Sequence, residues 1–212
     1  MTDAAVVAEG LLLAYAAGSI PTAYLAGRAK RVDLRQHGSG NLGATNAWRV
    51  LGWKIGLAVY VIDTLKGALP VLLLPRPTAN PEIAALAYGI AAIIGHVRPV
   101  FLGFRKGGKG VATAGGVFVA LAPAALAVSF AVFVATFLAS GYVSLGSLCA
   151  ALVLPIAIAA FSSWRVTPTL LVSIPVSAFV FWTHRANIGR LRRGEESRFR
   201  LGRRAPQPEA RR

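Results

Sequence analysis

Apolar runs and polar breaks alternate along the whole chain, and the runs have the length of membrane crossings. Residues 6–26, 55–74 and 83–102 each approach the roughly 20 residues that a helix needs to cross a bilayer. Three more apolar blocks follow at 111–139, 144–163 and 167–183. Gly18, Ser19 and Pro21 interrupt the first run, where small residues let a neighbouring helix approach closely. The breaks carry the charge. Segment 28–54 holds Arg28, Lys30, Arg31, Arg35, Arg49 and Lys54 against Asp33 as its acid, and 103–110 holds Arg105, Lys106 and Lys109. The chain after His184 is rich in Arg, whereas the turn at 75–81 is weakly charged. Cationic loops stay in the cytoplasm, so the three basic segments belong on one side.

That assignment exposes a parity problem. Three crossings after residue 110 would leave the basic tail outside. The 111–139 block is broken at Pro123, and two legs, 111–122 and 124–140, restore the count. The expected fold is therefore all-α: a polytopic bundle of seven transmembrane helices, N-terminus outside and C-terminus cytoplasmic. A leg of 12 residues rises only about 18 Å. It must be a shielded half-helix, or sit where the membrane thins. Residues 1–195 are expected to form one membrane-embedded domain and 196–212 a flexible, basic cytoplasmic tail. The start of the chain has no basic stretch ahead of its apolar run, so it reads as a retained first span.

Composition agrees. Of 212 residues, 55% are hydrophobic, above the range of soluble domains. The net charge of +15 would suit a nucleic-acid binder, but the cations sit in loops and tail. There they face inner-leaflet phospholipid or a phosphorylated substrate, and no nucleic-acid partner is expected. Cys149 is the only cysteine, which rules out an intrachain disulfide. No ligand cluster asks for a metal, and no cofactor is expected.

Four polar clusters emerge on the cytoplasmic side. In the first, Arg105-Lys106-Gly107-Gly108-Lys109-Gly110 precedes an apolar run from Val111. Such a turn can aim N–H groups at an anion, with a helix start behind it. It lacks the nucleotide P-loop spacing, and a plain membrane-flanking basic loop is the competing reading. The second, Gly38-Ser39-Gly40-Asn41-Leu42-Gly43-Ala44-Thr45-Asn46 with Arg49, offers hydroxyls, amides and a guanidinium able to clamp phosphate bidentately. A capping loop before a short helix from Ala44 is the simpler alternative. The third pairs Ser144 with Ser147, one turn apart, as pocket hydroxyls or as a helix cap. The fourth places His184 and Asn187 on one face, where a histidine can orient or deprotonate a hydroxyl. Within the spans, Asp63 and Lys66 lie one turn apart, and His96 ends the third run. A structural ion pair and a structural histidine are the simpler readings there. Together the clusters describe a cationic pocket with hydroxyls at the mouth of a bundle. A transporter for an organic phosphate would use similar parts, but no inverted halves are discernible.

At these residues the chain resembles the bacterial acyl-phosphate:glycerol-3-phosphate acyltransferases. The likeness covers nearly everything up to Glu195. It rests on Gly-Ser-Gly-Asn-x-Gly-Ala-Thr-Asn at 38–46 and on Gly95-His96-x-x-Pro99-Val100-Phe101 followed by Gly-Gly-Lys-Gly-Val-Ala-Thr at 107–113. Asp63-x-x-Lys66-Gly67, Tyr142-x-Ser144-Leu145-Gly146 and His184-x-x-Asn187-Ile188-x-Arg190-Leu191 also fit. The chain departs at Leu42, where proline is usual, and by carrying both Arg105 and Lys106 before the glycines. The resemblance implies seven membrane helices in the bacterial inner membrane, with the active site at the cytoplasmic face. It implies transfer of a fatty acyl group from acyl phosphate to the 1-hydroxyl of glycerol 3-phosphate, as the first step of phospholipid synthesis. The partners are then the two substrates and membrane phospholipid, with a single chain as the expected unit. It implies Ser39, Arg49, Lys109, His184 and Asn187 as catalytic. Substrate contacts are expected from these and from Asn41, Thr45, Asn46, Gly107, Gly108, Gly110, Thr113 and Ser144.

Overall fold

The computed structural model describes residues 2–199, and among them every regular element is helical. They are α1 (Asp3–Ser19), α2 (Thr22–Ala29), α3 (Ala44–Leu51), α4 (Trp53–Leu73), α5 (Pro81–Val97), α6 (Val111–Leu121), α7 (Pro123–Ser140), α8 (Val143–Phe161), α9 (Pro168–Thr183) and α10 (Arg185–Arg192), with a 3-10 turn at Val100–Leu102.

The helix ends follow local chemistry. Thr2, Asn80 and Thr167 cap α1, α5 and α9 by accepting hydrogen bonds from the first turn. Proline stands at the start of α5, α7 and α9, where its missing N–H costs nothing. Gly110 is left-handed (φ 83°) just before α6, and Gly141 (φ 75°) ends α7. At the break between α1 and α2, the Ile20 carbonyl is taken by the Lys66 ammonium at 2.8 Å. Irregular backbone among apolar helices is thus satisfied from inside the protein.

By length and composition, five segments can cross a membrane: Asp3–Ala29, which combines α1 and α2, then Trp53–Leu73, Pro81–Leu102, Pro123–Ser140 and Val143–Phe161. Two shorter apolar helices, α6 and α9, complete the set. The break expected at Pro123 separates α6 from α7. The 11 residues of α6 rise about 16 Å, half of a typical hydrocarbon core.

Packing sets α6 against α4. Gly67 and Gly116 face backbone across this contact, and a Cβ on either would overlap Thr113 or Thr64. The start of α6, and the basic loop before it, are thereby pinned over the middle of α4. By contrast, α7 buries only Ala125 and Ser129 and packs chiefly on α8. A groove remains between α7 and the α4–α6 pair, and its inner end leads to the loops.

Candidate active site

The loop after α2 winds around one side chain. Asn46 is buried, donates to the carbonyls of Leu34 and His37 (both 3.1 Å), and accepts from the Ser39 N–H at 2.8 Å. Its amide is committed to holding the turn. Asn46, expected as a substrate contact, borders the pocket with its amide engaged in the loop. The turn it builds presents Ser39, Asn41, Thr45 and Arg49 to a pocket at the base of the groove.

The glycine loop is arranged differently from the expected cradle. The Gly107 N–H donates to the Val97 carbonyl (3.0 Å) and the Gly108 N–H to the His96 carbonyl (3.2 Å). Those two donors dock the loop on α5 and are not free to hold an anion. Thr113 is fully buried beneath α6 and does not line the pocket. Both points correct the sequence expectation: the glycines dock on α5, and the α4–α6 contact turns Thr113 inward. What lines the pocket is Lys106, Lys109, Gly110, Val111 and Ala112. The first N–H groups of α6 have no partner within the helix, so its positive end lies at the pocket beside Lys109.

Side chains from distant segments meet there. Lys109 donates its ammonium proton to Asn187 Oδ1, and Asn187 Nδ2 donates to Glu196 Oε1. Glu196 also accepts from Ser144 Oγ and from Arg190 Nε, both at 2.7 Å. Arg49 lies beside them, half-buried, donating to the Ser197 carbonyl at 3.1 Å. Burial lowers the Lys109 pKa to about 8, against the opposing pull of Glu196, and burial also lowers that of Arg49. Both cations are therefore underhydrated, the state in which an arriving dianion is held most strongly. Burial alone would raise the Glu196 carboxyl, but hydrogen bonds from Ser144, Asn187 and Arg190 hold it below its ordinary value.

His184 is buried at the junction of α9 and α10. Its Nδ1 lies 2.8 Å from the Val180 carbonyl, which can only accept, so Nδ1 carries the proton. Nε2 is then a lone pair on the pocket side. Burial and nearby Lys109 lower the His184 pKa to about 4, so the ring is neutral at pH 7.

The sequence reading missed the residues just after α10. Gly194 turns the chain (φ 71°), and 195–199 run back across the mouth of the pocket. Besides Glu196, the Phe199 ring meets Trp48 and Phe137 edge-on, and its N–H donates to the Gly141 carbonyl. This stretch is packed, in contrast to the flexible tail expected from 196; residues 200–212 lie outside the described residues. A signal was available: acids are scarce in this chain, 8 against 23 cations, and one beside Arg190 had an obvious use.

The pocket is a single cavity of about 830 Å³. Its inner end carries Ser39, Arg49, Lys109, Ser144, His184 and Asn187. Its outer end is lined by Val119, Leu126, Phe130, Ala151, Leu154 and Val176. A polar, cationic end joined to an apolar groove among apolar helices is the arrangement of a membrane-embedded protein. Residues 9–194 match the glycerol-3-phosphate acyltransferase family. A glycerol-3-phosphate acyltransferase of Geotalea daltonii is 46% identical over 88% of this chain and 94% of its own length. One of Geobacter sulfurreducens is 45% identical over 89% and 95%. Among solved structures, the glycerol 3-phosphate form of the integral membrane acyltransferase PlsY (YgiH) superposes with a TM-score of 0.84 at 40% identity, covering 92% of this chain and 96% of that one. Its lysophosphatidic acid form superposes with a TM-score of 0.82 at 39% identity. The chain belongs to the glycerol-3-phosphate acyltransferase family.

Proposed function

We propose that this protein transfers a fatty acyl group from acyl phosphate to the 1-hydroxyl of glycerol 3-phosphate, releasing 1-acyl-glycerol 3-phosphate and inorganic phosphate. The observation that carries the reading is the continuity of the pocket: cations, hydroxyls and a neutral histidine at one end, an alkyl-lined groove at the other. Both substrates bear a phosphate and one bears a long chain. Among the described residues, none at the polar end is disposed as a strong nucleophile, which suits a donor whose leaving group is already good.

Arg49, Lys109 and the start of α6 carry the phosphate charge. Ser39, Asn41, Thr45 and Ser144 add hydrogen bonds. His184 Nε2 accepts from the 1-hydroxyl, and Asn187 is kept in register by Lys109 and Glu196. The hydroxyl oxygen attacks the acyl carbonyl, the carbon–oxygen bond to phosphate breaks, and the departing phosphate takes the hydroxyl proton. A histidine titrating at about 4 is a weak proton acceptor at pH 7, so His184 orients and the phosphate acts as base. The rate then comes from placement and charge stabilisation.

The positive-inside count supports α6 and α9 as further crossings, seven in all, with the N-terminus outside and the pocket mouth at the cytoplasmic face of the bacterial inner membrane. One chain is the proposed working unit. The test is stoichiometry: purified protein given glycerol 3-phosphate and palmitoyl phosphate should form lysophosphatidic acid and free phosphate one for one. Phosphate release without ester formation would reduce the activity to hydrolysis. In the same assay His184→Ala should lose about ten- to a hundredfold, the scale of one positioning contact. Total loss would make His184 the base.

A further inference from the structure

Behind the glycine loop lies a polar cluster that the acyl-transfer reading does not use. Asp63, Lys66 and His96 are all buried, with side chains 2%, 5% and 6% exposed. Lys66 Nζ lies 2.9 Å from Asp63 Oδ1 and donates to the Ile20 carbonyl at 2.8 Å. The Lys66–Asp63 contact is a buried ion pair. His96 Nδ1 is 3.7 Å from the same oxygen, too far for a direct hydrogen bond. Among the described residues, His96 Nδ1 has no hydrogen-bonded partner, and Asp63 Oδ1 has only its ion pair with Lys66. A buried ring nitrogen left without a partner, facing a carboxylate oxygen with room for a further hydrogen bond, is costly in a membrane interior.

Asp63, Lys66 and His96 border a cavity of about 10 Å³ together with Gly107 and Gly108, and Asp63 and His96 also border the large pocket. That is about the space one water needs, and buried waters typically make about three hydrogen bonds to such groups. The loop rests on the same histidine. Gly108 hangs from the His96 carbonyl, and its Cα abuts the imidazole so closely that a methyl there would overlap Nε2. His96 thus stands between the Asp63–Lys66 pair and the residue that precedes Lys109.

We propose that this cavity binds one ordered water bridging Asp63 Oδ1 and His96 Nδ1, and that His96, so held, is a positioning residue for the phosphate site. The water fixes the ring plane, the ring and carbonyl fix Gly108, and Gly108 fixes where the Lys109 ammonium points. Asp63 orients the water, and Lys66 offsets the carboxylate charge so that the site is close to neutral. This inference rests on the reading of Lys109 as a phosphate ligand.

His96→Leu removes the water's partner while keeping an apolar side chain of similar reach; His96→Asn restores a polar atom near the Nδ1 position. The measurement is binding of inorganic phosphate by 31P NMR, with KM and kcat for glycerol 3-phosphate beside it. His96→Leu should weaken phosphate binding and raise KM about tenfold, with kcat within about twofold, as expected when ground-state and transition-state binding fall together. His96→Asn should recover part of that loss. Parental phosphate affinity in folded His96→Leu would overturn the proposal, and so would a fall in kcat at unchanged KM. If His96→Leu does not fold, a high-resolution crystal structure of the unaltered protein decides. It should show density within hydrogen-bond reach of Asp63 Oδ1 and His96 Nδ1, and an unfilled cavity would refute the bridge. Should the protein form no ester from any acyl phosphate, the acyl-transfer reading fails, while phosphate binding still reports on His96.

Discussion

The two ends of the pocket are built on opposite principles. At the inner end a few side chains from loops far apart in sequence converge, and nearly every polar atom is committed to a partner. Lys109, Asn187, Glu196, Ser144 and Arg190 form one connected network. At the outer end Val119, Leu126, Phe130, Leu154 and Val176 come from four helices and form no polar contacts with one another. The inner end recognises by directed hydrogen bonds and charge, the outer end by shape. The difference teaches where specificity can reside. The bilayer is as apolar as the groove, so an alkyl chain gains little by leaving one for the other. Fine discrimination at the outer end must come from exclusion, and at the inner end from charge and directed hydrogen bonds.

Substitutions should separate the two ends. The largest effect is expected from Arg49→Ala or Lys109→Ala, which leave a desolvated phosphate short of a cation. A loss in kcat/KM of at least about a hundredfold is expected, in line with the cost of breaking a buried charged pair. The loss should be the same for long and short donors; a loss confined to one chain length would merge the two ends. Glu196→Gln comes next. It frees Asn187 and Ser144 from a charged acceptor, and kcat/KM should drop roughly ten- to a hundredfold, the scale of hydrogen bonds to ionised groups. The melting temperature should fall with it, because the same carboxylate stitches 195–199 to α8 and α10.

Ala151→Phe tests the outer end. A ring in mid-groove should penalise palmitoyl over octanoyl phosphate by about tenfold, a typical overpacking cost. KM for glycerol 3-phosphate should stay unchanged. Equal loss for both donors would mean that the chain lies elsewhere.

The smallest effect is on pH. Lys109 titrates at about 8 in the free protein, and only its ammonium form attracts phosphate. As pH rises through 8 the charged fraction falls, so kcat/KM for glycerol 3-phosphate should decline about fivefold from pH 8 to 9 for a single group. Lys109→Arg should flatten that decline, since guanidinium stays charged.

The sequence showed the inner end far better than the outer one, for a physical reason. Polar residues in a membrane chain are expensive, so those that remain mark work. Ser39, Thr45, Arg49, Lys109, Ser144, His184 and Asn187 lie in the four polar clusters, the family resemblance singled them out within those clusters, and the structure brings them to one pocket. The break at Pro123 was legible from parity. The groove was not, because α7 and α8 beyond its first turn are largely apolar and periodicity singles out no side. Nor could spacing reveal which glycine N–H groups were already engaged. Gly107 and Gly108 dock on α5, Thr113 turns inward because Gly67 and Gly116 draw α6 onto α4, and Asn46 is absorbed by its own loop. These are properties of packing. Glu196 was set aside with a tail whose composition suggests disorder, although its charge is opposite to that of the pocket it closes.

The most direct measurement holds the acyl chain constant and varies the leaving group. Purified protein in lipid, given glycerol 3-phosphate and either palmitoyl phosphate or palmitoyl-CoA, should make lysophosphatidic acid from the phosphate alone, because in this account the leaving phosphate is both the group the cations hold and the acceptor of the hydroxyl proton, and a thiol leaving group serves neither purpose. Comparable product from palmitoyl-CoA would contradict the account.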